Sequence, residues 1–190
     1  MPRNNENSIP VANFAIEGYV AAETRHGVTG ELVDRVENHN IVVNLGLNDI
    51  AKLISGVTPS GGVAGWDITK GAIGTVNTQN GNATQGAVAT DTSLTGAVFS
   101  AGAITKDYTA ASGTGNTGAQ VRFEFSYAPS VANGATYKEV GLCRNDTATF
   151  ESNGEGSNNV LFSRATHGDI AKTADVTLSY TYDLFFKTSS

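Results

Sequence analysis

Val176, Leu178, Tyr180, Tyr182 and Leu184 alternate without a break with Thr177, Ser179, Thr181 and Asp183. A period of two puts the apolar set on one face of a β-strand and the polar set on the other. β-branched and aromatic residues suit such a pleated, half-buried surface. Val121, Phe123, Phe125 and Tyr127 repeat the pattern against Arg122, Glu124 and Ser126. Shorter runs predict further strands: Phe14 to Val20, Leu32 to Val36 with Ile41 to Val43, Trp66 to Thr75, Val98–Phe99, Tyr137 to Arg144 and Val160 to Thr166. Residues 21–30 read as a turn, and Glu37 to Asn40 as a polar interruption of the second strand region.

A single helix is expected. Leu47, Ile50, Ala51 and Ile54 fall at i, i+3, i+4 and i+7, one apolar face, with Asn44 as N-cap and Gly56 as C-terminal stop. At about ten residues it is near the marginal limit for an isolated helix and needs a sheet to pack on. About eight strands and one helix predict a mainly β chain, an antiparallel β-sandwich or jelly-roll-like fold. Residues 1–10 read as an extended N-terminal arm, either disordered or ordered on a neighbouring subunit, and residues 11–190 as one β-sandwich domain. Residues 76–97, 110–119 and 145–159 are polar, Gly-rich loops.

Composition narrows the function classes. Charged residues are 16% of the 190, against a usual figure of about 25%, and the net charge is −6. With no cluster of Lys and Arg, nucleic-acid binding is not expected. No run approaches the length of apolar chain that crosses a membrane, and the N-terminus has no signal-peptide core, so no membrane association is expected. The sole cysteine, Cys143, has no partner for an internal disulfide and fits a protein made in a reducing cytoplasm.

No catalytic constellation emerges, and the chain is expected not to be an enzyme and to need no cofactor. His26, His39 and His167 lack metal-ligand spacing, and there is no G-x-S-x-G elbow or phosphate loop. The loop from Asp146 to Asn159 carries Glu151 and Glu155, hard oxygen donors of the kind calcium takes, but a solvated loop explains them better. Phe123, Phe125, Tyr180, Tyr182 and Phe186 are expected in the core rather than in a sugar-binding platform. Three residues stand out as interface candidates. Glu139 lies on a strand expected inside the fold, where a charge needs a partner such as Arg164 or Arg122. It is either a subunit-interface or strand-register pair, or a residue on the solvent side. Trp66, beside a Gly-rich loop, is the third candidate.

Four segments resemble a small domain of tailed-bacteriophage virion proteins. Asn40-Ile-Val-Val-Asn44-Leu-Gly-Leu is similar to its NLVVNxGL opening, which also precedes a short helix. Ala72-Ile-Gly-Thr75 and, after an insertion, Thr90-Asp-Thr-Ser-Leu94 resemble IAIGTGTTAPAATDTAL. Lys138-Glu-Val-Gly-Leu142 resembles xEVGLF. Leu161-Phe-Ser-Arg-Ala-Thr166, with Ile170 to Asp175 and the last strand, resembles LFARATFxPIxKTxDxxLTVTYTLTF. The likeness runs over residues 36–186, with departures at Val76, His167 and Asp169. It implies a structural protein of the virion, and it does not separate head from tail. Free-standing size and the lack of a fibre repeat favour a capsid decoration (cement) protein, a homotrimer that binds the major capsid protein. A tail, fibre, baseplate or neck component is the runner-up. A receptor- or glycan-binding module using Trp66 and the loops at 76–97 and 110–119 is the alternative of a different class.

Overall fold

The computed structural model of the chain describes residues 13–56, 67–76, 86–101, 104–111, 118–145 and 159–189. Among these, nine strands and one helix follow one another as β1 (Asn13–His26), β2 (Leu32–Val42), α1 (Asn44–Ser55), β3 (Lys70–Val76), β4 (Thr95–Ser100), β5 (Thr105–Thr109), β6 (Ala119–Tyr127), β7 (Ala135–Asn145), β8 (Asn159–Lys172) and β9 (Val176–Ser189). The expected class holds: the chain is mainly β, antiparallel throughout, with one short helix.

The strands form one sheet in the order β4-β3-β7-β8-β2-β1-β9-β6-β5. It curls into two layers that share β2. The bulk of β2 pairs with β1, from Gly18↔Asn40 to Arg25↔Leu32, and only Ile41 and Val42 pair with β8. The first layer, β5-β6-β9-β1-β2, therefore folds over the second, β8-β7-β3-β4. Between them Val20, Phe123, Phe125, Leu178, Tyr180, Tyr182 and Leu184 meet Ile73, Val140, Leu142, Phe162, Ala165 and Ile170 in one buried cluster. The inward residues of β6 and β9 are those that the alternation selected. At Gly71 of β3 the layers touch: a Cβ there would lie 2.4 Å from the Phe125 ring.

Several elements run longer than expected. Residues 21–26 belong to β1, and only residues 27–31 make the turn. Inward Ala22 and Thr24 keep the period of two, and the pairing with β2 on one side and β9 on the other extends the strand. Glu37 to Asn40 do not interrupt β2, because their backbone continues the ladder to β1 while Glu37, Asn38 and His39 stay exposed. β5 was not expected at all; every residue of Thr105–Thr109 is exposed, so this edge strand has no apolar signature.

The helix differs most. Asn44 is its first residue, not its cap. Val43 takes the cap position with no side-chain cap bond, whereas Gly56 ends the helix at φ 68° as expected. The expected apolar stripe is turned outward: Leu47, Ala51 and Ile54 are exposed, and only Ile50 packs against the core. Gly46 and Asp49 are buried instead. The cause lies in the docking chemistry. A Cβ at Gly46 would lie 2.2 Å from the Phe162 carbonyl oxygen, so backbone meets backbone there. One turn on, the Asp49 carboxylate accepts from Arg144 Nε at 2.8 Å. These two contacts fix the face that α1 lays on β8, and they leave the stripe free.

Candidate functional site

The first candidate is the buried charge cluster of the second layer. Glu139 (β7) and Arg164 (β8) project from the outer face of that layer and are both fully buried. Arg164 Nε donates to Glu139 Oε2 at 2.7 Å, and its Nη1 donates to Asp91 Oδ2 at 2.8 Å. The other Glu139 oxygen accepts from the backbone N–H and the hydroxyl of Thr95, while Asp91 Oδ2 also accepts from the Val88 N–H. Burial pushes the Glu139 carboxyl up, against the Thr95 N–H and Arg164, which pull it down. Gly74 makes the room: a Cβ there would lie 2.3 Å from Glu139 Oε1.

The cluster gathers segments that are far apart in sequence. Gly74, Asp91, Glu139 and Arg164 each come from a segment that carries the resemblance described above. Asn40 to Leu47 joins them from the side, through Val43 N–H to the Phe162 carbonyl at 3.0 Å and Asn44 N–H to the Ala89 carbonyl at 2.8 Å. These positions hold one another, and the Glu139–Arg164 pair lies inside the fold. Arg122, the other partner considered for Glu139, is on the first layer with Asp183. Asp91 was missed as a second carboxylate, although Thr90-Asp-Thr carried the signal. Trp66, residues 1–10, residues 77–85 of the expected 76–97 loop, residues 112–117 and residues 146–158 lie outside the described residues, and the end of that loop, from Thr95, belongs to β4.

The remaining chemistry-bearing side chains are mostly engaged. Among the described residues no three His, Cys, Asp or Glu side chains gather as a metal site would need. Cys143 is buried, which pushes its thiol up to about 12. His26 Nδ1 accepts from the turn N–H groups of Val28 and Thr29. His167 is buried, with Nδ1 against the Gly168 carbonyl at 2.7 Å and Nε2 against the Tyr180 hydroxyl at 3.1 Å; burial lowers its pKa. Phe123, Phe125, Tyr180 and Tyr182 are core residues, as expected.

Two surfaces stand out among the described residues. One is an apolar groove of about 530 Å³ where α1 meets the open end of the sandwich, lined by Ile50, Leu53, Ile54, Phe123, Phe162 and Phe186 among others. Leu53 and Ile54 at its rim are 61% and 79% exposed. The other is a polar trough of about 570 Å³ on the outer face of the first layer. Cross-strand rows build it. Arg122, Asp183, Tyr19 and His39 form one row across β6, β9, β1 and β2. Thr181 and Ala21 follow in the next row, and Glu23 opposite Arg35 in the one after. The small middle pair is the floor between taller walls. Arg122 is held by both oxygens of Asp183, at 2.8 and 2.9 Å, and Gln120 donates to the same carboxylate. Arg35 is held between Glu23 and Glu37. Tyr19 lies 4.5 Å from the His39 ring and 5.8 Å from Phe185, centre to centre.

No family model, curated protein or solved structure matches the chain.

Proposed function

We propose that the chain is a non-enzymatic structural protein of a tailed-bacteriophage virion, a capsid decoration protein that stabilises the head by binding neighbouring subunits, as a homotrimer. The virion half of this reading rests on the resemblance. It is strengthened by the convergence of the resembling segments on the Glu139–Arg164–Asp91 cluster, a shared physical reason for their sequences. The assembly half rests on one observation: α1 turns Leu47, Leu53 and Ile54 outward, where a monomer leaves apolar area in water. A subunit contact covers such area with gain, at about 25 cal/mol per Å² buried.

Electron cryomicroscopy of particles carrying the chain tests it. Symmetric density on the head surface, with heads lacking the chain breaking at lower temperature, is the expected result. Density confined to the tail, or no association with particles, overturns the head assignment. Leu53→Glu with Ile54→Glu is expected to abolish particle binding while leaving the melting temperature of the free chain unchanged.

A further inference from the structure

We propose that the polar trough of the first layer is a binding site for a neutral oligosaccharide. The site does not depend on where the chain sits in a particle, and no residue of the α1 groove takes part.

The shape comes first. The trough reaches across β6, β9, β1 and β2, three interstrand steps of about 4.8 Å each, about 14 Å in all, with Glu124 and Glu37 at the two ends of the Thr181–Ala21 row. Rows on one face of a strand lie about 6.8 Å apart, so the Ala21–Thr181 floor is flanked at that spacing by the Tyr19 and Glu23 rows. A short extended chain of pyranose rings has these dimensions.

The chemistry fits the same ligand. A sugar presents flat C–H faces and a rim of hydroxyl groups. Tyr19 is 40% exposed, and its ring is braced by His39 and Phe185, which fix it as a stacking surface at one wall. The other walls are planar donors and acceptors. The Arg122 guanidinium gives two of its five N–H groups to Asp183, and Arg35 is gripped by Glu23 and Glu37, so both lie fixed before a ligand arrives. Groups ordered in advance cost the ligand less conformational entropy on binding.

Charge decides the class. Two guanidiniums, Arg35 and Arg122, face three carboxylates, Glu23, Glu37 and Asp183. That balance gives no attraction for a sulfated or phosphorylated polymer. A protein partner is disfavoured too, because a dry interface would strip water from all five charged side chains, and interface cores are depleted in such groups. A ligand rich in hydroxyls offers donors and acceptors to the groups that lose water on binding, so fewer of them are left unsatisfied.

The test is titration of the intact chain with three neutral hexasaccharides, chitohexaose, cellohexaose and maltohexaose, alongside a heparin hexasaccharide, followed by amide chemical shifts and calorimetry. We expect micromolar to millimolar binding of at least one neutral probe, with shifts confined to β6, β9, β1 and β2. Tyr19→Ala weakens it about tenfold, the loss of one stacked ring at about 1.4 kcal/mol, and Tyr19→Phe restores it. Raising the salt about tenfold leaves a neutral ligand's affinity unchanged, since no net charge is screened. No binding of any neutral probe at millimolar concentration overturns the proposal. So does binding that Tyr19→Ala leaves intact while the variant melts as the parent does, or tighter binding of the heparin probe. Particle association is measured separately, so either reading fails without the other.

Discussion

The two layers of the sheet are built on opposite plans. The first layer is buried on one face only: β6 and β9 send aromatic and aliphatic side chains inward and Arg122, Thr181 and Asp183 outward. The second is buried on both. β8 contributes Phe162 and Ala165 to the core between the layers, while Leu161 joins Val43, Ala72 and Cys143 in a separate cluster under α1 and the segment before β4. A strand with water on one side can carry charge at no desolvation cost. A strand covered twice must either be apolar on both faces or pair every charge it keeps. The second layer does both, and Arg164, Glu139 and Asp91 are its paired charges. The same residue types thus do different work: Arg122 shapes a surface, and Arg164 ties a covering segment to the sheet.

The contrast is broken hardest by removing the buried cation. Arg164→Met leaves the Glu139 and Asp91 carboxylates buried together with no cation between them, held only by the Thr95 and Val88 groups, and a loss of about 3–5 kcal/mol is expected in urea unfolding. Gly71→Ala attacks the contact between the layers. The new methyl group meets the Phe125 ring, and overpacking of this kind costs about 1–3 kcal/mol. The Tyr180–His167 bond gives a pH-dependent version. Burial depresses the folded pKa of His167, so the unfolded chain takes up the proton first. Stability is then complete above the unfolded value of about 6.5 and falls as the pH drops through it. Melting temperatures between neutral and mildly acidic pH should show that fall in the parent and a smaller one in His167→Gln. The smallest effect is expected in the first layer: Arg122→Ala removes a half-exposed pair and should cost under about 1 kcal/mol. A loss equal to that of Arg164→Met would erase the distinction between the layers.

The same difference explains what could be read in advance. β6 and β9 were legible because one wet face and one dry face write an alternating sequence. The C-terminal end of β1 was not, because Ala22 and Thr24 are small and only their pairing on both sides keeps them in the strand. The α1 stripe misled, since Leu47 and Ile54 have the spacing of a buried face while Gly46 and Asp49 make the contact. A glycine that docks by lacking a side chain has no periodic signature. Glu139 and Arg164 were legible as partners because a charge inside a strand run needs one, but the second carboxylate, Asp91, reaches them from a segment with no strand pattern. The trough was invisible in one dimension. Its walls come from four strands, and only the register brings Arg122, Asp183, Tyr19 and His39 into line.

β9 pairs with β1 along the whole 14-residue length of both strands, from His26↔Val176 to Asn13↔Ser189. Facing residues of an antiparallel pair are about 5 Å apart, so residues 13 and 189 emerge side by side. Joined by a few glycines, they would close residues 13–189 into a ring, free to be opened at the exposed turn between β1 and β2. A cargo attached directly at residue 13 or at residue 189 is therefore delivered to the same corner of the molecule. The hairpin tip at Val28 offers a second attachment point away from that corner.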